Sequence, residues 1–264
     1  MKLRVLADNN TFINMYYLGE PAVSYYIEDE GNKILFDVGY SDAYIKNAKS
    51  MGIDLNEVSK LVISHGHNDH TGGLPFILEK CKNLEIITHP KTFIEKVDEG
   101  EDIGSPYDEE MVRKYAKLTL SKEPVNITSN LIYLGEIPQT TDFETRDIIG
   151  TTDKDHHPDD IVEDSAMCYK TDRGLFIITG CSHSGICNII EYAKKVTGDN
   201  RILGVIGGFH LFDKDERLAS TIEYLKKENI PFLYPCHCIS LDAKIEMGKV
   251  MEIHEVGVGM EVDI

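Results

Sequence analysis

Short apolar runs alternate with amphipathic segments along most of the chain, and this alternation predicts strands that lead into helices. In the first half, the expected strands are residues 2–7, 23–27, 33–37, 60–64 and 84–88. The second and third of these strands form a predicted hairpin that turns at the polar residues 28–32. One expected helix is capped by Ser41, runs through Ala48 and is closed by Gly52, and another covers residues 71–81.

The second half of the chain repeats the alternation. Its expected strands are residues 131–137, 165–169, 174–178, 202–206 and 232–234. One helix is expected over about 184–196, and another carries the apolar stripe Leu218, Ile222 and Leu225 and stops before Pro231. Because strands lead into helices in both halves, we expect sheets covered by helices, within one layered α/β domain over residues 1–264.

Two polar stretches interrupt this pattern. Residues 91–125 are charged and carry one helical segment near 108–118. They contain too few apolar residues for a core of their own, so we interpret them as an insertion or a lid. Residues 139–164 are polar and include His156 and His157. We expect substrate contacts to lie in these two stretches.

The composition narrows the classes of function. A formal net charge of −18 opposes binding to the phosphate backbone of nucleic acids. No apolar run approaches the roughly 18 residues of a membrane span, and the amino terminus lacks the pattern of a signal peptide. The six cysteines form no C-x-x-C pair and are expected to be free thiols. We therefore expect a cytoplasmic protein that acts on a small molecule, without nucleic-acid or membrane partners and with its oligomeric state left open.

The strongest chemical signal is an H-x-H-x-D-H string formed by His65, His67, Asp69 and His70. Imidazole nitrogens and carboxylate oxygens are the donors that zinc and similar divalent cations accept. The string lies between a predicted strand and a predicted helix, where a rigid scaffold can present side chains from a loop. The pattern therefore predicts a metal site.

Other polar residues follow predicted strands and are expected near the string. These residues include three histidines, His183, His210 and His237. Strand ends at one edge of a sheet converge in space, which favours a common site. Asp37 also ends a strand, and it is either a turn residue or an acceptor that orients a ligand histidine. The segment Asp8–Asn10 is a further candidate to reach the site.

Together these motifs resemble the metallo-β-lactamase superfamily. Asp37 is followed by Val-Gly, the histidine string ends in Thr-Gly-Gly, and histidines follow later strands. The resemblance implies a four-layer αββα sandwich with the metal site at one edge of its two sheets. The segments Leu6–Asn9, Gly180–His183, Gly207–Leu211 and Cys236–Cys238 further resemble the branch named for an archaeal dihydropterin ribofuranosylaminobenzene-phosphate synthase.

The resemblance implies two sets of metal ligands. The first divalent cation would be held by His65, His67 and His183, and the second by Asp69, His70 and His237. One or two ions are expected, with Zn²⁺ first and Mn²⁺ or Fe²⁺ as alternatives. Most of the superfamily has a bridging aspartate in a Gly-Asp step, which Gly180-Cys181 matches here. Three alternatives stay open: Cys181 contributes sulfur, the bridge is absent, or His210 acts in that region.

The resemblance favours a metal-dependent hydrolase. A metal-activated hydroxide would attack an ester, lactone or phosphoester, with a pterin- or phosphate-containing substrate as one candidate. Asp69 would ligate an ion and steer the proton of the nucleophile, and His210 would contact substrate or donate a proton to the leaving group. Histidine at position 67, where flavodiiron-type members have glutamate, favours hydrolysis over oxygen reduction. The alternatives are a non-catalytic metal- or ligand-binding sensor and a nuclease of the same fold.

Overall fold

A computed structural model describes residues 1–152 and 157–264, and His156 lies outside the described residues. Strands β1 to β9 are Lys2–Ala7, Ser24–Asp29, Asn32–Phe36, Lys60–Val62, Glu85–Thr88, Lys96–Asp98, Glu101–Asp102, Lys117–Leu120 and Val125–Asn126. Strands β10 to β17 are Leu131–Tyr133, Thr151–Thr152, His157–Pro158, Ala166–Thr171, Gly174–Thr179, Ile202–Gly207, Phe232–Pro235 and Glu261–Asp263. Helices α1 to α7 are Ala43–Ser50, Asn68–Thr71, Leu74–Lys80, Glu109–Tyr115, Ile186–Thr197, Glu216–Glu228 and Leu241–Gly248. In the described part of the chain, none of the helices combines the length and apolarity needed to cross a membrane.

Two sheets occupy the centre of the molecule. One has seven strands in the order β17-β1-β2-β3-β4-β5-β8, and its strands β3, β4, β5 and β8 are parallel. The other has six strands in the order β16-β15-β14-β13-β10-β9, and its strands β14, β15 and β16 are parallel. Parallel neighbours need long crossover connections, which helices such as α5 and α6 supply. The ends of these parallel strands carry the residues of the metal motifs.

Three apolar cores establish the order of the layers. In β3, Ile34 and Phe36 face an inner core shared by both sheets, whereas Leu35 joins an outer core with α1 and α3. In β14, Ile178 faces the same inner core and Ile177 packs in a third core with α5 and α6. Strand side chains alternate between faces, so each sheet contributes to two cores. The order helix–sheet–sheet–helix confirms the predicted four-layer αββα sandwich.

A small third sheet joins the two polar stretches of the sequence. Its strand order is β12-β11-β6-β7, so residues 91–125 supply two strands and residues 139–164 supply the other two. Lys96 of β6 is fully buried and forms ion pairs with Asp159 and Glu163. The first stretch also supplies α4 and β8, which pairs with β5 at the edge of the seven-stranded sheet. That this stretch acts as an insertion or lid stays a prediction.

Several element boundaries differ from the sequence predictions. The helix expected over 71–81 is divided at Gly72–Gly73, so that α2 begins within the histidine string. The strand expected over 131–137 ends at Tyr133, because Gly135 has a φ of +76° that an extended strand does not accommodate. The apolar pattern also failed to predict α7 and β17. The predicted type of element is correct over most of the chain, and the errors lie at boundaries and in short elements.

The first hairpin and the first helix show two smaller shifts. Only Glu30 and Gly31 separate β2 from β3, and both have positive φ angles, of 50° and 77°. Such angles are typical of tight two-residue hairpin turns, so the turn is shorter than the predicted one. Helix α1 begins at Ala43, whose backbone N–H donates to Oγ of Ser41 at 3.1 Å. The predicted capping serine therefore lies two residues before the helix.

Candidate metal centre

The histidine string follows β4 and continues into the first turn of α2. His67 is the residue that precedes this helix, with extended backbone angles. A Cβ atom at Gly66 would lie 2.3 Å from the carbonyl oxygen of Thr92 and 2.9 Å from Cε of Lys96. A side chain would not fit there, so glycine allows the backbone between His65 and His67 to lie close to Thr92 and Lys96.

The structure brings His65, His67 and His183 together, with one donor atom of each within 4.8 Å of the others. Nε2 of His65 lies 3.1 Å from Nδ1 of His67. Two nitrogens bound to one tetrahedral zinc ion at about 2.0–2.1 Å would be roughly 3.3 Å apart. Among the described residues, neither ring nitrogen of the buried His183 has a hydrogen-bond partner. Leaving a buried polar group unpaired costs about 1–3 kcal/mol, so this group of three fits a divalent cation.

The environment also keeps these imidazoles in the form that binds metals. Burial lowers the pKa of His67 to about 4. Burial, reinforced by neighbouring imidazoles, holds the pKa values of His65 and His183 well below the ordinary 6.5. A neutral imidazole offers a lone pair, whereas an imidazolium does not. The three residues are therefore neutral at physiological pH and ready to act as ligands.

A second group of donors lies beside the first, and its donor atoms are also within 4.8 Å of one another. Its members are Asp69, His70, Cys181 and His237. Nε2 of His70 lies 3.1 Å from Sγ of Cys181 and 3.4 Å from Oδ2 of Asp69. Nε2 of His237 lies 3.1 Å from the same carboxylate oxygen. The structure thus adds Cys181 to the three residues that the resemblance implied, and sulfur, nitrogen and oxygen donors together suit zinc.

Charges within the second group balance one another. Burial alone would lower the pKa of His70, but the carboxylates of Asp69 and Asp37 hold that pKa well above its ordinary value. Burial alone would raise the pKa of Asp69, but the charge of His70 and the adjacent ring of His237 hold it well below its ordinary value. Burial raises the pKa of the Cys181 thiol. A cation that binds here would release protons from His70 and Cys181, because it takes the lone pairs that hold them.

Asp37 holds the second group in position. Its fully buried carboxylate accepts hydrogen bonds from the backbone N–H and Oγ of Ser64, at 2.8 and 2.7 Å. The carboxylate also lies 2.7 Å from Nδ1 of His70. Donation from Nδ1 fixes the ring of His70 and leaves Nε2 facing Cys181 and Asp69. Asp37 was interpreted either as a turn residue or as an acceptor that orients a ligand histidine, and its contact with His70 is the one expected of an orienting acceptor.

Asn9 gives similar support to His237. Oδ1 of Asn9 lies 3.1 Å from Nδ1 of His237, and Nδ2 of Asn9 donates to the carbonyl oxygen of His237 at 3.2 Å. The carboxylate of Asp8 instead accepts a hydrogen bond from the backbone N–H of Asn10, at 2.9 Å. Within the segment Asp8–Asn10, the residue that contacts the donor group is therefore Asn9.

Members of both donor groups line one cavity of about 540 Å³. Much of the remaining wall is apolar and is formed by Pro21, Tyr40, Ile103, Ile149 and Phe212. His210 also lines the cavity, and its ring centroid lies 4.4 Å from that of His183. It belongs to neither donor group, whereas Cys181 belongs to the second. Its contact with a substrate stays a prediction.

The sequence did not identify several residues of this cavity. Tyr40 and Phe212 lie close in sequence to Asp37 and His210, which was the only available signal for them. Ile103 and Ile149 come from the two polar stretches in which substrate contacts were expected, but no periodicity singled them out. These residues meet through tertiary structure alone.

Comparisons with known proteins identify the family to which the chain belongs. The sequence profile of the metallo-beta-lactamase superfamily matches residues 18–194. The 7,8-dihydropterin-6-methyl-4-(beta-D-ribofuranosyl)-aminobenzene-5'-phosphate synthase of Methanocaldococcus jannaschii is 30% identical over 262 residues, covering 92% of this chain and 89% of that protein. Tm1679, described as a metal-dependent hydrolase of the beta-lactamase superfamily, superposes with a TM-score of 0.85 at 25% identity, covering 100% of this chain and 99% of Tm1679.

A more distant structure shares the fold alone. Zn²⁺-bound PqqB from Methylobacterium extorquens superposes with a TM-score of 0.60 at 9% identity, covering 100% of each chain. The profile match extends over about two thirds of the sequence, and the synthase aligns along nearly its whole length. Sequence, fold and the clustering of the histidine string with later histidines thus agree that this chain belongs to the metallo-β-lactamase superfamily.

Proposed function

We propose that the protein is a metal-dependent hydrolase that cleaves an ester, lactone or phosphoester bond in a small molecule. The observation that carries the proposal is the pair of adjoining donor groups, one of three residues and one of four, at a single cavity. Divalent cations held there would supply an activated water nucleophile and polarise the bond under attack. Zn²⁺ is the proposed ion, with Mn²⁺ or Fe²⁺ as alternatives.

The chain's own residues have separate roles in this proposal. His65, His67 and His183 would hold one cation, and the second group would hold another. Asp69 lines the cavity and contacts both His70 and His237, so it is placed to accept a proton from attacking water as well as to bind a cation. Asp37 and Asn9 would keep the ligand rings of the second group in position.

The described side chains of the cavity wall do not provide the cations that would bind a polyanion. Its described lining residues include Asp69 and Asp98 but neither lysine nor arginine. A polyanion such as nucleic acid needs several such cations, which supports a small-molecule substrate over the nuclease alternative. The apolar side chains Tyr40, Phe212, Ile103 and Ile149 would contact an apolar or aromatic part of that substrate.

The similarity to the dihydropterin synthase supports a second candidate function. At 30% identity over nearly the whole chain, this protein could share that relative's type of product, a pterin-containing phosphate. The same donor groups would then serve a synthetic reaction rather than hydrolysis. A non-catalytic sensor is the third alternative, and it differs from both because it predicts binding without turnover.

Metal reconstitution tests the proposal. The full chain would be stripped with a chelator, reloaded anaerobically with Zn²⁺, Mn²⁺ or Fe²⁺, and assayed on p-nitrophenyl esters, lactones and phosphodiesters. We expect turnover that rises with the number of bound ions and is lost in His183→Ala. His254→Ala serves as the matched control, since His254 stacks on Tyr234 and does not line the cavity. Full loading without turnover in any class would contradict the hydrolase and favour the synthase or the sensor.

A further inference from the structure

We propose that Asp98 selects substrates that carry an ammonium group on an apolar chain, at a distance from the bond that is cleaved. Asp98 lines the same cavity of about 540 Å³ as the donor groups. Within the described lining of that cavity, it is the carboxylate that belongs to neither donor group. The proposal rests on the hydrolase function proposed above and names a class of substrate for it.

The third sheet holds Asp98 in place from both sides. Asp98 is the last residue of β6 and pairs with Glu101 of β7. The two residues between them, Glu99 and Gly100, have φ angles of +48° and +86°, which are typical of a tight hairpin turn. On its other side β6 pairs with β11, and a Cβ atom at Gly150, just before β11, would lie 3.0 Å from Cβ of Asp98. The backbone on both sides therefore keeps Asp98 at the cavity wall.

The face of β6 that carries Asp98 is turned towards the histidine string. Side chains alternate along a strand, so Asp98 shares a face with Lys96. A Cβ atom at Gly66, within the histidine string, would lie 2.9 Å from Cε of Lys96. Lys96 forms ion pairs with Asp159 and Glu163, so its charge is already compensated. Asp98 therefore lies beside the metal motif without receiving the charge of that lysine.

The carboxylate of Asp98 has no counter-charge in the part of the chain that the structure describes. Among the described residues, none forms an ion pair with it or donates a hydrogen bond to its side chain. Asp98 is nevertheless half-buried, so part of its hydration shell is displaced by protein. Loss of that hydration is costly unless a cation or hydrogen-bond donors replace the water. An ammonium group of a bound substrate would supply both a charge and donors.

The segments that surround β6 also bring two isoleucines to the cavity. The backbone N–H of Ile103 donates to the carbonyl oxygen of Lys96 at 3.0 Å, and Ile149 directly precedes Gly150, which packs against Asp98. Both isoleucines line the cavity. Methylene groups gain free energy when such side chains remove them from water, whereas an ammonium group alone gains only from the charge. A carboxylate with apolar neighbours thus suits an alkylammonium chain, whose other end would place the scissile bond at the donor groups.

Matched substrates test this preference on the metal-loaded full chain at pH 7. One is the p-nitrophenyl ester of 6-aminohexanoic acid, whose amine is protonated at this pH. The second is p-nitrophenyl heptanoate, in which a methyl group replaces the ammonium group, and the third is the mono-p-nitrophenyl ester of pimelic acid, which ends in a carboxylate. All three share the leaving group. If the wild type cleaves phosphodiesters instead of esters, the corresponding alkyl p-nitrophenyl phosphates replace them.

The variants are Asp98→Asn and Asp98→Lys, with bound metal measured in each. Glu101→Gln is the matched control, because it removes the same charge from the neighbouring strand, and Glu101 is exposed and does not line the cavity. In the wild type and the control, we expect kcat/KM for the ammonium ester to exceed that for heptanoate by about 10–100-fold. The ratio should fall to within about threefold of one in Asp98→Asn, and Asp98→Lys should prefer the pimelate ester. The metal content should be unchanged.

Binding without turnover gives an independent measurement. Calorimetric titration of the Zn²⁺-loaded protein with hexylammonium chloride should show a Kd that is about 10-fold higher in Asp98→Asn than in the wild type. For 1-hexanol, the two proteins should have the same Kd. The control Glu101→Gln should bind both probes as the wild type does.

The outcomes separate this inference from the function on which it rests. Equal kcat/KM values for the ammonium and heptanoate esters in the wild type would overturn the role of Asp98 while leaving the hydrolase intact. An equal fall of the ratio in Glu101→Gln would overturn it as well, since that result indicates a general effect of net charge. Loss of metal in Asp98→Asn would indicate a structural role and would also overturn it. If the wild type hydrolyses no class of substrate, the hydrolase fails, and binding of hexylammonium that depends on Asp98 would still support the cationic preference, whereas its absence would overturn it.

Discussion

Replacement of Asp37 by asparagine tests how the second donor group is held. Oδ2 of Asp37 lies 2.7 Å from both Oγ of Ser64 and Nδ1 of His70, and Oδ1 accepts from the backbone N–H of Ser64. In Asp37→Asn one of these two oxygens is replaced by an amide nitrogen, which donates hydrogen bonds and cannot accept them. If the nitrogen replaces Oδ2, the ring of His70 loses its acceptor, and if it replaces Oδ1, the backbone N–H of Ser64 loses its acceptor.

The structure sets the size of the expected effect. Hydrogen bonds to charged groups contribute about 1.5–3 kcal/mol each. If the amide nitrogen replaces Oδ2, both bonds at that atom are lost, and the free energy of unfolding falls by about 3–6 kcal/mol. If it replaces Oδ1, a single bond is lost, and the fall is about 1.5–3 kcal/mol. Loss of an orienting acceptor also lowers metal affinity by about 10–100-fold, and here the effect should concern the second cation.

Two measurements check this prediction. Urea denaturation of the chelated protein gives the change in free energy of unfolding, and titration with Zn²⁺ gives the affinity of each cation. The matched control is Asp42→Asn, because Asp42 is a surface residue that pairs with Lys46 at 2.8 Å. Its effect should stay below about 1 kcal/mol. The reasoning is refuted if Asp37→Asn is as stable as the control and binds both cations with wild-type affinity.

Three further predictions address the first donor group, the turn that carries it and a buried carboxyl group. His183→Ala should lose one bound cation and all hydrolysis, measured by metal analysis and activity, and retention of two ions would contradict the assignment. Gly66→Ala should lower both the melting temperature and the metal content, because its Cβ would lie 2.3 Å from the Thr92 carbonyl oxygen; an unchanged melting temperature would contradict this. Burial raises the pKa of Asp164 to about 6 from 3.8, so the folded state retains its proton and stability falls as pH rises from about 4 to 6. Between pH 4 and 7, Asp164→Asn should therefore gain up to about 3 kcal/mol of unfolding free energy relative to wild type, and parallel pH curves would refute the effect.

The sequence predicts the parts of the site that local chemistry determines. Four potential ligands occur within six positions from His65 to His70, and a strand followed by a helix leaves few ways to arrange them. His183 and His237 follow parallel strands, and the edge of a sheet brings such residues together. Cys181 was detectable as a departure from the expected Gly-Asp step, but its position among the candidate ligands required the structure.

Other parts of the fold and site depend on contacts that no local pattern records. Helix α7 was missed because Leu241 and Ile245 are 73% and 46% exposed, so the apolar positions do not mark its buried face. Strand β17 has three residues, which is too short for an alternation to be visible. Oδ2 of Asp147 lies 3.5 Å from Nδ1 of His210 although Asp147 belongs to a polar stretch 63 residues earlier, and no local pattern brings the two together.

Crystallography with anomalous scattering at the zinc edge tests the central claim most directly. The full chain would be reconstituted with Zn²⁺ and crystallised. The anomalous difference map would then show the positions of the zinc ions without any assumption about which residues bind them. The account predicts two peaks, one enclosed by the first donor group of His65, His67 and His183, and one enclosed by the second donor group, with Sγ of Cys181 bound to the second ion. A zinc-loaded crystal with no peak at either group, or with its peaks elsewhere on the protein, would contradict the account.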